Sequence, residues 1–147
     1  MTEKYAFFKG CFVPVRLPQI ESITQKVFAD LGFSLVNLDA FACCPEPVGV
    51  GINDRITWLS LAARNLSIAE ENGLDIMTIC NGCTYTLKHA HHVLNGNKQL
   101  LDKVNEIISE TGHEYRGNVK IRHSLEVLKS DVGVKKLKGA VKYPLSE

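Results

Sequence analysis

The sequence predicts an α/β domain with a mostly parallel sheet. Short apolar runs of β-rich composition alternate along the chain with longer segments whose apolar residues recur at helical spacing. Such alternation favours a parallel sheet with right-handed crossover connections. With 147 residues, of which 45% are apolar, the chain is long enough for one hydrophobic core. We therefore expect residues 1–147 to form a single domain.

The first predicted unit is a strand followed by a helix. The strand, Lys4–Gly10, is an apolar run of β-rich composition that ends directly before Cys11. The helix is predicted over Pro18–Leu31, because proline suits a first turn and Gly32 suits the C-terminal cap. Its predicted apolar stripe consists of Ile20, Ile23, Val27 and Leu31.

The second unit repeats this order. Phe33–Asp39 is predicted as a strand that leads to the adjacent cysteines Cys43 and Cys44. A helix is predicted over residues 53–72, because its first two residues, an asparagine and an aspartate, can both cap a helix and Gly73 follows its end. Its predicted apolar stripe consists of Ile56, Leu59, Ala63, Leu66 and Ala69.

The third predicted strand, Leu74–Cys80, ends on a C-x2-C pair formed by Cys80 and Cys83. A helix over Thr84–Leu94, capped by its first residue, would aim its amide groups and positive dipole end toward these two thiols. The remaining predictions are a helix over Lys98–Glu110, a strand over Asn118–His123, a short helix over Ser124–Gly133 and partial helix in the basic segment Val134–Glu147.

These elements predict a three-layer, Rossmann-like fold with cysteines at the carboxyl ends of the strands. All those ends lie along one edge of a parallel sheet, which is where such sheets bind ligands. Three strands would therefore bring together the five cysteines of the chain, Cys11, Cys43, Cys44, Cys80 and Cys83.

The cysteine pattern favours a shared metal site. An odd number of thiols does not suit a disulfide framework. A single cysteine is more often a buried thiol, and an isolated C-x2-C is more often a redox dithiol, but three strand ends that each meet cysteine favour metal ligation. Four of the thiols could bind zinc. An iron-sulfur cluster offers separate positions, so that the adjacent Cys43 and Cys44 could bind different irons or bridge two of them.

Composition excludes other classes of partner. The formal net charge is +1, with 17 basic and 16 acidic residues, so we expect no binding to nucleic acid or anionic membranes through overall charge. The N-terminal residues lack the pattern of a signal peptide, and no stretch approaches a membrane span. These features predict a cytoplasmic location.

The cysteine spacing, C-x31-CC-x35-C-x2-C, resembles that of the cysteine-rich CCG domain. The segment TWLSLAARNLSIAEENGLDIMTICNGC, Thr57–Cys83, closely resembles the B subunit of heterodisulfide reductase from methanogenic archaea. The resemblance extends over nearly the whole chain, including VKIRHSLEVL, Val119–Leu128. One departure is Pro45, which stands where the name of the domain implies glycine.

The resemblance implies a specific redox role. In this family each domain uses its five cysteines to hold a non-cubane 4Fe-4S cluster, and two tandem domains face the disulfide of coenzyme M and coenzyme B (CoM-S-S-CoB). Electrons arrive through the iron-sulfur C subunit, with the flavin-containing A subunit further upstream. The ligands here would be Cys11, Cys43, Cys44, Cys80 and Cys83.

With one cysteine set, the chain resembles the first of the two tandem domains and is expected to be incomplete alone. Related CCG proteins occur in oxidoreductases for succinate, lactate or glycolate, and an electron-transfer subunit of that kind is an alternative. A structural zinc-binding module is another.

Two basic residues near the first cysteine are further candidates for substrate binding. Lys9 and Arg16 flank the first cysteine, and their charge could attract a carboxylate or phosphate of a substrate. Three clustered histidines, by contrast, are interpreted as partly solvated helix surface without a role: His89, His91 and His92.

Overall fold

The structure is a computed structural model that describes residues 3–143. Its centre is a four-stranded sheet in which every pair of neighbouring strands is parallel. The spatial order of the strands is β2-β1-β3-β4. The strands are β1 (Glu3–Phe8), β2 (Phe33–Val36), β3 (Asp75–Thr78) and β4 (Ile121–His123). The predicted parallel α/β fold is confirmed.

Helices precede, connect or follow these strands along the described residues. They are α1 (Phe12–Arg16), α2 (Pro18–Asp30), α3 (Val50–Asn53), α4 (Arg55–Glu71), α5 (Asn81–Asn95), α6 (Lys98–Ser109), α7 (Ser124–Val127) and α8 (Val134–Ala140). A π-helical turn, Leu128–Val132, joins α7 to α8. Helices α1 and α3 were not predicted, because four or five residues are too few to show helical periodicity.

The sheet separates two hydrophobic cores, which gives the predicted three layers. Alternate residues of β1 point to opposite faces, as strand geometry requires. Ala6 and Phe8 join the core under α4, α5 and α6. Tyr5 and Phe7 join the core under α2 and α7. The central strands are therefore buried on both faces, which explains their continuous apolar sequences.

Helix α4 is the most deeply buried helix of the domain and begins where the sequence predicts. Asp54 occupies its N-cap position, where a side-chain oxygen accepts the backbone N–H of Thr57 at 3.0 Å. Gly73 follows its end with a φ of 64°, a conformation that costs glycine little. The buried face is wider than the predicted stripe and includes the polar residues Ser60 and Asn65.

Replacing Ser60 with alanine is expected to stabilise the domain by about 1 kcal/mol. The Ser60 hydroxyl is buried and has no hydrogen-bond partner among the described residues, and alanine also has the higher helix propensity. Chemical denaturation of the wild-type chain and the variant, under identical anaerobic conditions, measures the difference. The matched control is Ser67→Ala, because the Ser67 hydroxyl donates to the Arg64 carbonyl at 2.8 Å. A Ser60→Ala variant less stable than Ser67→Ala would contradict the expectation.

The predicted apolar stripe of α2 is largely wrong. Ile20, Ile23 and Val27 are 41%, 61% and 41% exposed, whereas Phe28 of the helix and Leu31 at its C-cap are buried. The helix covers β2, which is an edge strand, and therefore meets the core with a narrow face. Helical periodicity predicts the helix correctly, but it does not reveal which side a neighbouring layer covers.

Several element boundaries differ from the predictions. The second and third strands end at Val36 and Thr78, before the predicted ends at Asp39 and Cys80. Cys43 and Cys44 therefore lie in an irregular segment, and Cys80 lies between β3 and α5. The fourth strand is half as long as predicted, and the segment predicted as the helix Ser124–Gly133 is α7 followed by the π-helical turn. The predicted partial helix near the C-terminus is confirmed by α8, and residues 144–147 of that segment lie outside the described residues. Within residues 3–143, no helix combines the length and apolar character needed to cross a bilayer.

Candidate metal centre

All five cysteines line one pocket at the carboxyl ends of the strands. Its volume is about 280 Å³, and most of its remaining lining is apolar or glycine. Cys11 follows β1 and precedes α1, while Cys80 and Cys83 lie at the start of α5. Cys43 and Cys44 come from the irregular segment that joins β2 to α3. The pocket therefore forms at the sheet edge that parallel topology predicts.

The two adjacent cysteines face different neighbours. Cys43 is exposed, and its Sγ lies 3.6 Å from the Sγ of Cys11, which is also exposed. Cys44 is buried and interacts with the buried Cys83, which in turn interacts with Cys80. The vicinal pair thus contacts two different thiols: Cys43 lies beside the exposed Cys11, and Cys44 lies beside the buried Cys83.

The thiols of the pocket do not ionise alike. A hydrogen bond from Cys83 is the main cause that lowers the pKa of Cys44 to about 7. The same hydrogen bond, together with burial, raises the pKa of Cys83. Burial and the neighbouring Cys11 raise the pKa of Cys43 to about 11. Of these three thiols, Cys44 is therefore the one that ionises most readily.

Gly10 allows the first strand to approach this thiol group closely. Its φ is 70°, and a Cβ atom at this position would lie 2.8 Å from the Sγ of Cys83. An L-residue is strained at this φ, and its Cβ would displace a thiol that is 2% exposed. The end of β1 is thus shaped around the sulfur of Cys83.

The N-terminus of α5 supplies positive electrostatic potential to the pocket. Cys80 occupies the N-cap position of this 15-residue helix, and Cys83 lies in its first turn. The prediction that Thr84 caps the helix is wrong, because the helix begins at Asn81 and the Thr84 hydroxyl donates to the Cys80 carbonyl at 3.0 Å. The predicted direction of the helix is nevertheless correct, because its N-terminal end, where amide groups and the dipole favour negative charge, lies at Cys80 and Cys83.

Side chains from two helices hold the segment that carries the vicinal cysteines. These side chains were not predicted as part of the site, although a buried polar residue within an apolar helix face is a signal that could reveal one of them. Asn65, which is fully buried on α4, bonds to the backbone of Ala42 and Cys43. Trp58 and Thr86 donate to the carbonyl of Pro45 at 3.1 and 3.4 Å.

The charged residues near the first cysteine differ in position. Lys9 lines the cysteine pocket, and its Nζ lies 3.0 Å from a carboxylate oxygen of Glu21. Arg16 is exposed at the end of α1 and is not among the residues that line this pocket.

The histidines of α5 pack against aromatic residues. His89 stacks on Tyr85, with ring centroids 5.6 Å apart, and its ring also lies near Trp58. His91 Nδ1 is hydrogen-bonded to the hydroxyl of the buried Tyr115.

The donor set of the pocket suits an iron-sulfur cluster. Its five thiols are soft ligands, a glycine makes room for one of them, and a helix N-terminus favours their thiolate forms. As the side chains stand in residues 3–143, no three cysteine, histidine or carboxylate side chains are arranged to hold a single metal ion. Ligation by all five cysteines therefore remains a prediction.

Comparison with known proteins identifies the family. The sequence model of the CCG family, described as a cysteine-rich domain, matches residues 5–88, which contain every cysteine of the chain. The chain belongs to the CCG family of cysteine-rich domains. The resemblance predicted from the cysteine spacing is thereby confirmed, with Pro45 included in the matched region.

Curated relatives of this CCG domain are named as reductase subunits. A protein of Archaeoglobus profundus, named as similar to the B subunit of heterodisulfide reductase, is 40% identical over 97% of this chain and 48% of the relative. The B subunit of the ferredoxin/F420H2-dependent CoB-CoM heterodisulfide reductase of Methanosarcina acetivorans is 38% identical over 97% of this chain and 47% of its own. The chain spans about half the length of these relatives.

A more distant relative belongs to a differently named enzyme. The 8-methylmenaquinol:fumarate reductase membrane anchor subunit of Wolinella succinogenes is 28% identical over 99% of this chain and 50% of the relative. A solved structure of a hypothetical protein from Helicobacter pylori superposes with a TM-score of 0.77 at 20% identity, covering 87% of this chain and 25% of that one. This second similarity supports the fold alone.

Proposed function

We propose that this CCG domain is the cluster-binding half of a heterodisulfide reductase-type oxidoreductase. The observation that carries the proposal is the meeting of all five cysteines in one pocket. Cys11, Cys43, Cys44, Cys80 and Cys83 would hold a non-cubane 4Fe-4S cluster, which supplies electron transfer when bound. The 40% and 38% identities to proteins named after the B subunit support the heterodisulfide branch.

The reaction proposed for the complete enzyme is the reductive cleavage of CoM-S-S-CoB. Breaking a disulfide consumes two electrons and two protons and yields two thiols. The pocket mouth supports access for such a substrate, because Cys11 and Cys43 are exposed there while Cys44 and Cys83 are buried. Lys9 lines the same pocket and would provide a cation near an anionic group of the substrate.

The proposed enzyme needs partners that supply electrons and complete the site. A second CCG half, the iron-sulfur C subunit and the flavin-containing A subunit are the proposed partners. Three large apolar side chains line the pocket or neighbour its lining residues in the sequence, and all three are exposed. They are Phe12 (59% exposed), Val48 (69% exposed) and Tyr85 (57% exposed). Their exposure supports coverage of the pocket by another domain. Exposed apolar groups that cluster around a site are typical of protein interfaces.

A second candidate is an electron-transfer subunit of another oxidoreductase. The specific observation in its favour is the 28% identity to the fumarate reductase anchor subunit over nearly the whole chain. Adding CoM-S-S-CoB to the reconstituted chain distinguishes the two by the electron paramagnetic resonance (EPR) spectrum, because only the first candidate has a cluster that meets this disulfide. We expect the disulfide to change the spectrum, and an unchanged spectrum would favour the second candidate.

Metal analysis tests the proposed cluster directly. Chain purified without oxygen is expected to contain about four irons and about four acid-labile sulfides, because soft thiolates favour a tetranuclear cluster. A parallel sample exposed to air serves as the control for oxidative loss. One equivalent of zinc without sulfide in the anaerobic sample would overturn the cluster and favour a structural zinc module.

A further inference from the structure

The segment that carries Cys43 and Cys44 has no regular backbone structure of its own. Residues 41–46 form neither helix nor strand nor turn. Their peptide groups therefore lack the ladder of hydrogen bonds that fixes a strand, and other groups must satisfy those that are buried. A free segment of this kind would sample many conformations. The positions of the two thiols consequently depend on what holds this backbone.

Asn65 makes two hydrogen bonds to this segment, one through each half of its side-chain amide. Its Oδ1 accepts the backbone N–H of Ala42 at 2.9 Å, and its Nδ2 donates to the carbonyl of Cys43 at 3.0 Å. Only one orientation of the amide satisfies both partners, because one is a donor and the other an acceptor. Asn65 is fully buried, so the two bonds replace those that a neighbouring strand would make.

A second pair of hydrogen bonds holds the other side of Cys44. The indole Nε1 of Trp58 donates to the carbonyl of Pro45 at 3.1 Å, and the Thr86 hydroxyl donates to the same carbonyl at 3.4 Å. Cys44 thus lies between two carbonyls that are held by α4 and α5. This arrangement turns its thiol toward Cys83, while the thiol of Cys43 faces Cys11.

We propose that Asn65 is a positioning residue that keeps the vicinal thiols pointing in different directions, so that each meets a different part of the metal centre. This inference rests on the proposed function, because thiols that point in different directions suit a cluster with separate iron positions. Both polar atoms of the Asn65 side chain are bonded to the backbone, so its proposed role is to position the thiols and not to bind metal. Its loss would let the segment open locally while the rest of the domain stays folded.

The first test measures the accessibility of Cys44 in the full chain, freed of metal by anaerobic dialysis against a chelator. Iodoacetamide labelling, resolved by tandem mass spectrometry, gives the modification rate of Cys44 relative to that of Cys80. In Asn65→Ala this ratio is expected to rise at least about tenfold, because the substitution removes two hydrogen bonds and each shifts a local opening equilibrium by about fivefold. Global unfolding would expose both cysteines and would not favour Cys44.

The matched control is Ser67→Ala. Ser67 is also a fully buried polar residue of α4, but its hydroxyl bonds within the helix to Arg64. Its ratio is expected to equal that of the wild-type chain. Should Asn65→Ala fail to fold, Asn65→Leu provides the same test, because leucine has the same branching and number of heavy side-chain atoms as asparagine but makes neither hydrogen bond. A wild-type ratio in the variant that folds, or an equal rise in Ser67→Ala, would overturn the proposal.

Reconstitution with iron and sulfide then separates this inference from the proposed function. If the wild-type chain binds a cluster, Asn65→Ala is expected to bind less than half as much iron or to show altered EPR g-values, whereas Ser67→Ala retains the wild-type spectrum. If the wild-type chain binds no cluster, the proposed function fails, but the labelling ratio still tests the positioning role. A raised ratio with unchanged iron content and spectrum would show that the hydrogen bonds of Asn65 do not serve the metal centre.

Discussion

Replacing either Cys43 or Cys44 with serine is expected to remove more than half of the iron that the wild-type chain binds after anaerobic reconstitution. Serine offers a harder oxygen ligand, which suits an iron-sulfur cluster less well than a thiolate. The remaining cysteine cannot substitute for the lost one, because the two thiols face different neighbours, Cys11 and Cys83. Iron and sulfide analysis, with the visible and EPR spectra, measures the effect.

Two further variants serve as controls for this experiment. Cys11→Ser is expected to be equally damaging, since its thiol lies 3.6 Å from that of Cys43. Ala42→Ser, at an exposed position of the same segment, introduces a hydroxyl without removing a thiol and is expected to retain the cluster. Circular dichroism checks that each variant is folded, because a lost cluster could otherwise follow from unfolding. If one member of the vicinal pair is replaced with iron content and spectrum unchanged, the five-ligand assignment is wrong and a four-ligand site remains.

Gly10→Ala is expected to destabilise the domain by about 3 kcal/mol and to reduce its iron content. One contribution is backbone strain at a φ of 70°, which costs an L-residue about 1–2 kcal/mol. The other is the contact of 2.8 Å between the new Cβ and the Sγ of Cys83, because overpacking a buried site costs about 1–3 kcal/mol. Since Cys83 is one of the proposed ligands, displacing its thiol also disturbs the metal centre. Denaturation curves and iron analysis measure the two effects separately.

Gly73→Ala is the matched control for this substitution. Gly73 has a similar φ of 64°, but a Cβ there would meet no atom within 4 Å. It is expected to lose about 1–2 kcal/mol of stability from backbone strain alone and to keep its iron. Equal losses of stability in the two variants, with full iron in both, would show that the approach of β1 to Cys83 carries no cost and has no role in the site.

Local sequence patterns were sufficient to predict the order of the main elements and the edge at which the cysteines meet. Apolar runs and helical periodicity are local properties, and they correctly predict the parallel sheet and α4 with its Asp54 cap. Parallel topology then requires that residues following successive strands share one edge, whatever the details of each turn. For this reason Cys11, Cys43 and Cys80 could be placed together without coordinates.

How those thiols are held, and which helix faces are buried, depends on the packing of the folded chain. The exposed stripe of α2 shows that periodicity fixes a helix but not the layer that covers it. The bonds of Asn65 to the segment around Cys43 span 22 and 23 positions of the sequence, and the approach of Gly10 to Cys83 spans more. Contacts of this kind arise when whole elements pack together, and no local pattern in the sequence corresponds to them. The cysteines of the site were therefore predictable, whereas the groups that position them became visible only in the folded chain.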